Sequence, residues 1–350
     1  MSSSPPLSPA PSMSGDTLSN KVPVGILGVG AYAPSEVVTN EELTRHLDTT
    51  DEWIVARTGI RERRFLPEGE NTTDMCVQAA RQALEESGTQ ARELNAIIIA
   101  TFTFDQLLPS TALTVAERLG APQAVALDLN QAACSGGLYG IWTGVHLLQN
   151  AHFRRVLVIG AEALSRITDP MDRSTRVFFG DAAGAAVLGP VEEGAGVLSW
   201  SLGGALSYGV EVPAGGTREP FGPEVVGTGR QYLKMNGPEV WEQVLTRLPP
   251  SVEEALKLVS LTADEVDHYV FHQANKNLVE RLMDMLGQKR EKATTTIETL
   301  GNTGAATIFT VLRRLREVDR PRPGEHVLIS VIGAGFLWGS MCLRQQEPAA

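Results

Sequence analysis

A chain of 350 residues that is 43% hydrophobic can bury a large core and is long enough for two domains. Its formal net charge of −11 argues against general nucleic-acid binding, which needs a basic face. Three scattered cysteines, Cys76, Cys134 and Cys342, give neither a disulfide framework nor a zinc cluster and point to a reducing, cytoplasmic compartment, and no apolar run reaches the roughly 18 residues of a membrane span.

The first twenty residues are rich in Ser and Pro and lack the charged and apolar regions of a signal peptide, so residues 1–21 read as a disordered leader. From Val22 onward, short β-branched runs alternate with longer helical patterns, the mark of an α/β protein with largely buried strands. In a first half, residues 22–192, the predicted strands are VPVGILGVGAY, AIIIATFTF, AVALDLN, RVLVIGAEA and GAAVLGP. In a second half, residues 193–350, they are WSLGG, VDHYVFH, KATTTIETL, EHVLISVIG and a last strand over 339–344. GVGAYA, at 28–33, resembles a dinucleotide fingerprint but opens no helix, so the match carries little.

The halves read as copies. Ile98 and Val270 lie 172 positions apart in similar segments, Val156 and Val327 lie 171 apart, and Cys134 and Asn302 lie 168 apart. A near-constant offset predicts a duplicated α/β unit in which Cys134 and Asn302 occupy equivalent strand-to-helix turns. Ligands in α/β sheets bind outside the carboxyl ends of strands, so two such turns facing each other would share one site.

Cys134 follows an apolar run and opens SGGLYGIWTGVHLLQN, which reads as a buried helix. A thiol there feels the positive end of the helix dipole, which favours the thiolate, although a buried cysteine is also an ordinary small core side chain. Cys76 and Cys342 read as core, one inside an amphipathic helical pattern and the other in the terminal strand. His272 closes the strand DHYVFH, a position that serves a ligand, whereas His268 stands at the strand's start. Asn302 sits in GNTGAA, where flanking glycines permit a tight turn, and turn chemistry alone also explains an Asn there. A Cys-His-Asn order occurs in papain-like hydrolases too, and His272 lies 138 positions after Cys134, within their spacing. Their local CGSCW-type signature is absent here.

AACSGGLYG, FHQAN and GNTGAA, together with TDEWIVARTGIRERR, LLPSTAL, MDRSTRVFFGDAAGAAVLG, EVPAGGTREP, MNGPEVW and GAGFLWGS, resemble the β-ketoacyl-acyl carrier protein synthase III family over nearly the whole chain after the leader. The resemblance implies a thiolase-like fold of duplicated α/β halves layered α-β-α-β-α, and a homodimer. It implies acyl carrier protein or acyl-CoA as partner, coenzyme A or phosphopantetheine thioesters as substrates, and no permanent cofactor or metal. By the same resemblance Cys134 is the nucleophile, His272 and Asn302 bind the extender thioester, and the amides of Cys134 and Ala334 form the oxyanion hole. Trp53, Arg57 and Arg173 would hold coenzyme A, with Arg61, Arg63 and Arg64 adding cationic charge, and Gly237, Trp241 and Asn275 would line the pantetheine tunnel.

Several positions depart from the family's usual pattern. Glu242, Asn277, Asp284 and Met285 stand where basic residues often dock an acidic carrier protein. Leu108, Ile332 and Leu337 replace the usual residues of the acyl pocket. These exchanges suggest a pathway-specific homologue in polyketide or antibiotic assembly, for which acetyl-CoA would be a poor primer. Variants of the family join two β-ketoacyl chains into an α-pyrone or transfer acyl groups to other acceptors. Retention of Asn302 favours condensation.

Overall fold

The computed structural model describes residues 12–17, 21–130 and 132–346. Its strands are β1 (Ser12–Asp16), β2 (Val24–Tyr32), β3 (Glu36–Thr39), β4 (Glu62–Phe65), β5 (Ala96–Ala100), β6 (Val125–Asp128), β7 (Val156–Glu162), β8 (Ala182–Pro190), β9 (Gly196–Gly204), β10 (Val210–Glu211), β11 (Lys234–Met235), β12 (His268–Phe271), β13 (His326–Gly333) and β14 (Leu337–Arg344). Its helices are α1 (Asn40–Thr44), α2 (Asp51–Thr58), α3 (Thr72–Ser87), α4 (Thr111–Leu119), α5 (Gly136–Leu147), α6 (Arg173–Arg176), α7 (Gly237–Leu258), α8 (Lys276–Met285), α9 (Ile297–Leu300) and α10 (Thr307–Val318).

Two five-stranded mixed sheets carry the architecture, ordered β2-β8-β7-β5-β6 and β1-β9-β14-β13-β12. Their central strands are largely apolar because both faces are covered. α5 and α10 fill the space between the sheets, α3 and α4 cover the outer face of the first, and α7 and α8 pack outside the second. The result is the five-layer α-β-α-β-α sandwich that the resemblance implied. Among the described residues, no helix is long and apolar enough to cross a membrane.

The duplication is visible in strand register. Ala96 pairs with Val156 in the first sheet, and His268 pairs with Val327 in the second, so the offsets found in the sequence are those of paired strands. One offset needs correcting. Short turns at Ala133–Ser135 and Gly304–Ala306 lead into α5 and α10, so the structural counterpart of Cys134 is Ala305, and Asn302 stands just before its own turn.

KATTTIETL forms no strand. Ala293 makes a single bridge to Tyr269, and the segment then turns into α9. The buried side chain of Gln273 replaces the missing ladder: its amide nitrogen donates to the Thr294 carbonyl, and its oxygen accepts from the Thr296 and Ile297 N–H groups.

The leader reading also changes. Residues 12–16 form β1, which extends the second sheet antiparallel to β9, with Ser12 and Ser14 donating to Glu254. Residues 1–11 and 18–20 lie outside the described residues. The glycines of GVGAYA serve helix packing, since a Cβ at Gly28 or Gly30 would stand 2.4 or 2.0 Å from an α3 carbonyl oxygen.

Candidate active site

The two inner turns exchange partners between the halves. β7 of the first half packs on the Gly304–Ala306 turn, and β13 of the second packs on the Ala133–Ser135 turn. This crossing brings Cys134, His272, Asn302 and Ala334 to the wall of one cavity of about 630 Å³. Most of the remaining lining is apolar, including Phe102, Phe104, Ile167, Phe179, Val244 and Phe336.

Cys134 is half-buried and follows Ala133, whose φ of +45° is left-handed and sterically costly for a residue with a Cβ. Burial, and then the Glu162 carboxylate, push the Cys134 thiol up to about 12, against an opposing backbone hydrogen bond at Cys134 itself.

His272 follows β12 directly, and its N–H donates to the Ser330 carbonyl at 2.8 Å, which fixes it to β13. The ring is buried, and Nδ1 has no hydrogen-bond partner. Burial pulls it down to about 4 against an opposing contribution from the Gly304 backbone, so the imidazole is neutral at pH 7. His268, by contrast, is buried beside Glu325 at 3.1 Å, away from the cavity.

Asn302 is held by the other half of the molecule. Its N–H donates to the Phe178 carbonyl and its carbonyl accepts from the Gly180 N–H, forming a parallel bridge with Phe179. Its Oδ1 accepts from the Gly304 N–H at 3.0 Å, which leaves the amide nitrogen as the remaining donor. The expected glycine turn is real, with φ of +67° at Gly301 and +54° at Gly304.

The remaining predicted residues divide. Ile332 lines the cavity, but Leu108 is 84% exposed and outside it, and its neighbour Leu107 lines it instead. Leu337 is also absent from the lining; at the start of β14, its carbonyl accepts from Ser135. Trp53 lies in the first turn of α2, its N–H donating to the Thr50 cap, and the Arg173 guanidinium lies 5.4 Å from its ring centroid. Arg57 and Arg61 are exposed, but Arg63 is fully buried and donates to Asn40 and the Val177 carbonyl, while Arg64 pairs with Glu62. Arg63 therefore braces the fold, and Arg64 is already paired. Gly237 and Trp241 lie on the first turns of α7, and Asn275 caps α8 by accepting from the Leu278 N–H. Asn277 is engaged too, donating to the Ala56 and Arg57 carbonyls at the end of α2. Sequence reasoning missed Gln273, which shapes the path to Asn302, although it lies inside the FHQAN segment. It also missed Glu162, a buried carboxyl at the end of β7 whose only signal was a charge closing an apolar strand.

The family model described as 3-oxoacyl-[acyl-carrier-protein] synthase III matches residues 127–205, and the model of its C-terminal region matches residues 256–345. The first span holds Cys134 and the second holds His272, Asn302 and Ala334. A β-ketoacyl-[acyl-carrier-protein] synthase III of Symbiobacterium thermophilum is 41% identical over 92% of this chain and 98% of its own. The crystal structure of a synthase III from Thermus thermophilus superposes with a TM-score of 0.86 at 37% identity, covering 93% of this chain and 100% of that one. The priming β-ketosynthase of the R1128 polyketide pathway superposes with a TM-score of 0.85 at 30% identity, covering 94% of this chain and 98% of that one. With its thiolase-like halves and its thiol, imidazole and amide gathered at one cavity, this chain is an acyltransferase belonging to the β-ketoacyl-[acyl-carrier-protein] synthase III family.

Proposed function

We propose that Cys134 accepts a primer acyl group and that His272 and Asn302 activate a malonyl thioester for decarboxylative condensation with it. The observation that carries this reading is the convergence of these residues, from two halves of the chain, on a single apolar cavity. In the first half-reaction the Cys134 sulfur attacks the thioester carbonyl, and the carrier thiol leaves with a proton. The amides of Cys134 and Ala334 hold the tetrahedral oxyanion. In the second, loss of carbon dioxide puts negative charge on the extender's carbonyl oxygen. Neutral His272 and the Asn302 amide donate hydrogen bonds to it. The new carbanion attacks the acyl group, the carbon–sulfur bond breaks, and Cys134 is released to be reprotonated.

In this reading Trp53, Arg173 and Arg57 hold the nucleotide end of coenzyme A, and Gly237, Trp241 and Asn275 flank the pantetheine arm. Acyl carrier protein supplies the extender in the cytoplasm. The protein works as a homodimer, a reading supported by Leu107 and Leu108, apolar and more than four-fifths exposed beside the cavity. The apolar wall of Phe102, Ile167, Phe179, Leu233 and Met235 favours a primer larger than acetyl, as in pathway-specific priming.

The test is product analysis after mixing enzyme, acyl-CoA and malonyl carrier protein. The reading requires carbon dioxide and a β-ketoacyl carrier protein in equal amounts. Free acid from the acyl-CoA as the main product would favour a hydrolase instead.

A further inference from the structure

Glu162 ends β7 with no solvent exposure and lies under the turn that holds Asn302. A Cβ on Gly304 would stand 2.7 Å from Glu162 Cγ, so the carboxyl side chain and the turn are in direct contact. Oε2 accepts from Thr103 Oγ1 at 2.7 Å and, more weakly, from Thr101 Oγ1 at 3.4 Å. Oε1 is buried with no hydrogen-bond partner. A buried carboxylate with an unpaired oxygen is costly, and a neutral acid relieves that cost. Burial accordingly pushes Glu162 up to about 8, against opposing hydrogen bonds from Thr103, Phe102 and Thr101. The Gly304–Ala306 turn in contact with Glu162 packs in turn on the Ala133–Ser135 turn that carries Cys134, and the Glu162 charge, after burial, pushes the Cys134 thiol up.

We propose that Glu162 is a positioning residue: as the neutral acid it braces the Gly304 turn that orients Asn302 and lets the Cys134 sulfur carry negative charge, whereas its ionisation silences the nucleophile at alkaline pH. The inference rests on Cys134 being the nucleophile. Glu162 does not line the cavity and acts through its neighbours.

Few other charges compete. β5, β8 and the Gly304–Ala306 turn carry no titratable side chain. From α3 the field of Glu162 reaches Cys76, a buried thiol that Asp105 and Asp128 also hold neutral. On α5, Tyr139 is bound to the Gly203 and Trp338 carbonyls and His146 to the Trp142 carbonyl.

The experiment follows iodoacetamide alkylation of Cys134, by peptide mass, between pH 6 and 10 in the full-length protein. Glu162→Gln keeps the shape and removes the charge. It should alkylate at the wild-type rate near pH 6 and about tenfold faster at pH 9, the effect of one pKa unit. Thr103→Val removes a donor that favours the carboxylate, so Glu162 stays neutral to higher pH and alkylation at pH 9 should rise severalfold. This second variant decides the matter if the first does not fold. Rates that coincide with wild type across the range in the folded variants would overturn the proposal. Acyl loading of wild type beside Cys134→Ala tests the nucleophile separately, so the two failures are distinguishable.

Discussion

Gly333 lies so close to the nucleophile turn that a Cβ on it would stand 2.9 Å from the Cys134 nitrogen and 2.8 Å from the Ser135 nitrogen. The last residue of β13 thus sets the distance between the Cys134 amide and the Ala334 amide that follows Gly333. Gly333→Ala should force the two apart and cost about 10²–10³ in kcat, the effect of losing one oxyanion donor. Steady-state kinetics on a variant with wild-type circular dichroism checks this.

Asn302 offers its amide nitrogen because Gly304 occupies its oxygen. Under the proposed mechanism the Asn302 donor serves only the second half-reaction, so Asn302→Ala should still accept an acyl group on Cys134 but lose condensation by about 10²–10³. Single-turnover measurement of each half-reaction separates the two.

His272 is buried with its pKa lowered to about 4, so the folded protein excludes a proton that the unfolded chain binds near 6.5. The unfolded state therefore gains as pH falls below 6.5, and the cost of keeping His272 neutral grows until pH reaches the folded value. At pH 5 this amounts to about 2 kcal/mol of lost stability relative to pH 7. Urea denaturation should show a smaller loss over that interval in His272→Asn than in wild type. Under the proposed mechanism, in which neutral imidazole donates the hydrogen bond, condensation should hold its rate down to about pH 5.

The Arg173 guanidinium lies over the Trp53 ring, and both residues are outside the cavity lining. Trp53→Ala should raise KM for acyl-CoA about three- to tenfold, corresponding to roughly 1 kcal/mol of lost stacking. Loading from a short thioester without the nucleotide should be unchanged.

The duplicated sheets were legible because buried strands write themselves as apolar runs, and paired strands in the two halves kept the same register. KATTTIETL was misread because β-branched residues predict a strand, whereas the Gln273 side chain captures that backbone and bends it toward Asn302. β1 was invisible because SMSGD has no strand pattern of its own; the open edge of β9 and the Glu254 carboxylate order it. Cys134, His272 and Asn302, which line one cavity, stood out through local motifs. The raised pKa of the Cys134 thiol did not, because burial and the Glu162 charge are tertiary effects.

The most direct test of the central claim is the intact mass of the protein after exposure to a panel of acyl-CoA and acyl-carrier thioesters, run beside Cys134→Ala. A gain of one acyl group in wild type, absent from the variant and greatest for primers longer than acetyl, is the predicted result. An adduct that persists in Cys134→Ala, or no adduct with any donor, would contradict the assignment of Cys134 as the acyl carrier.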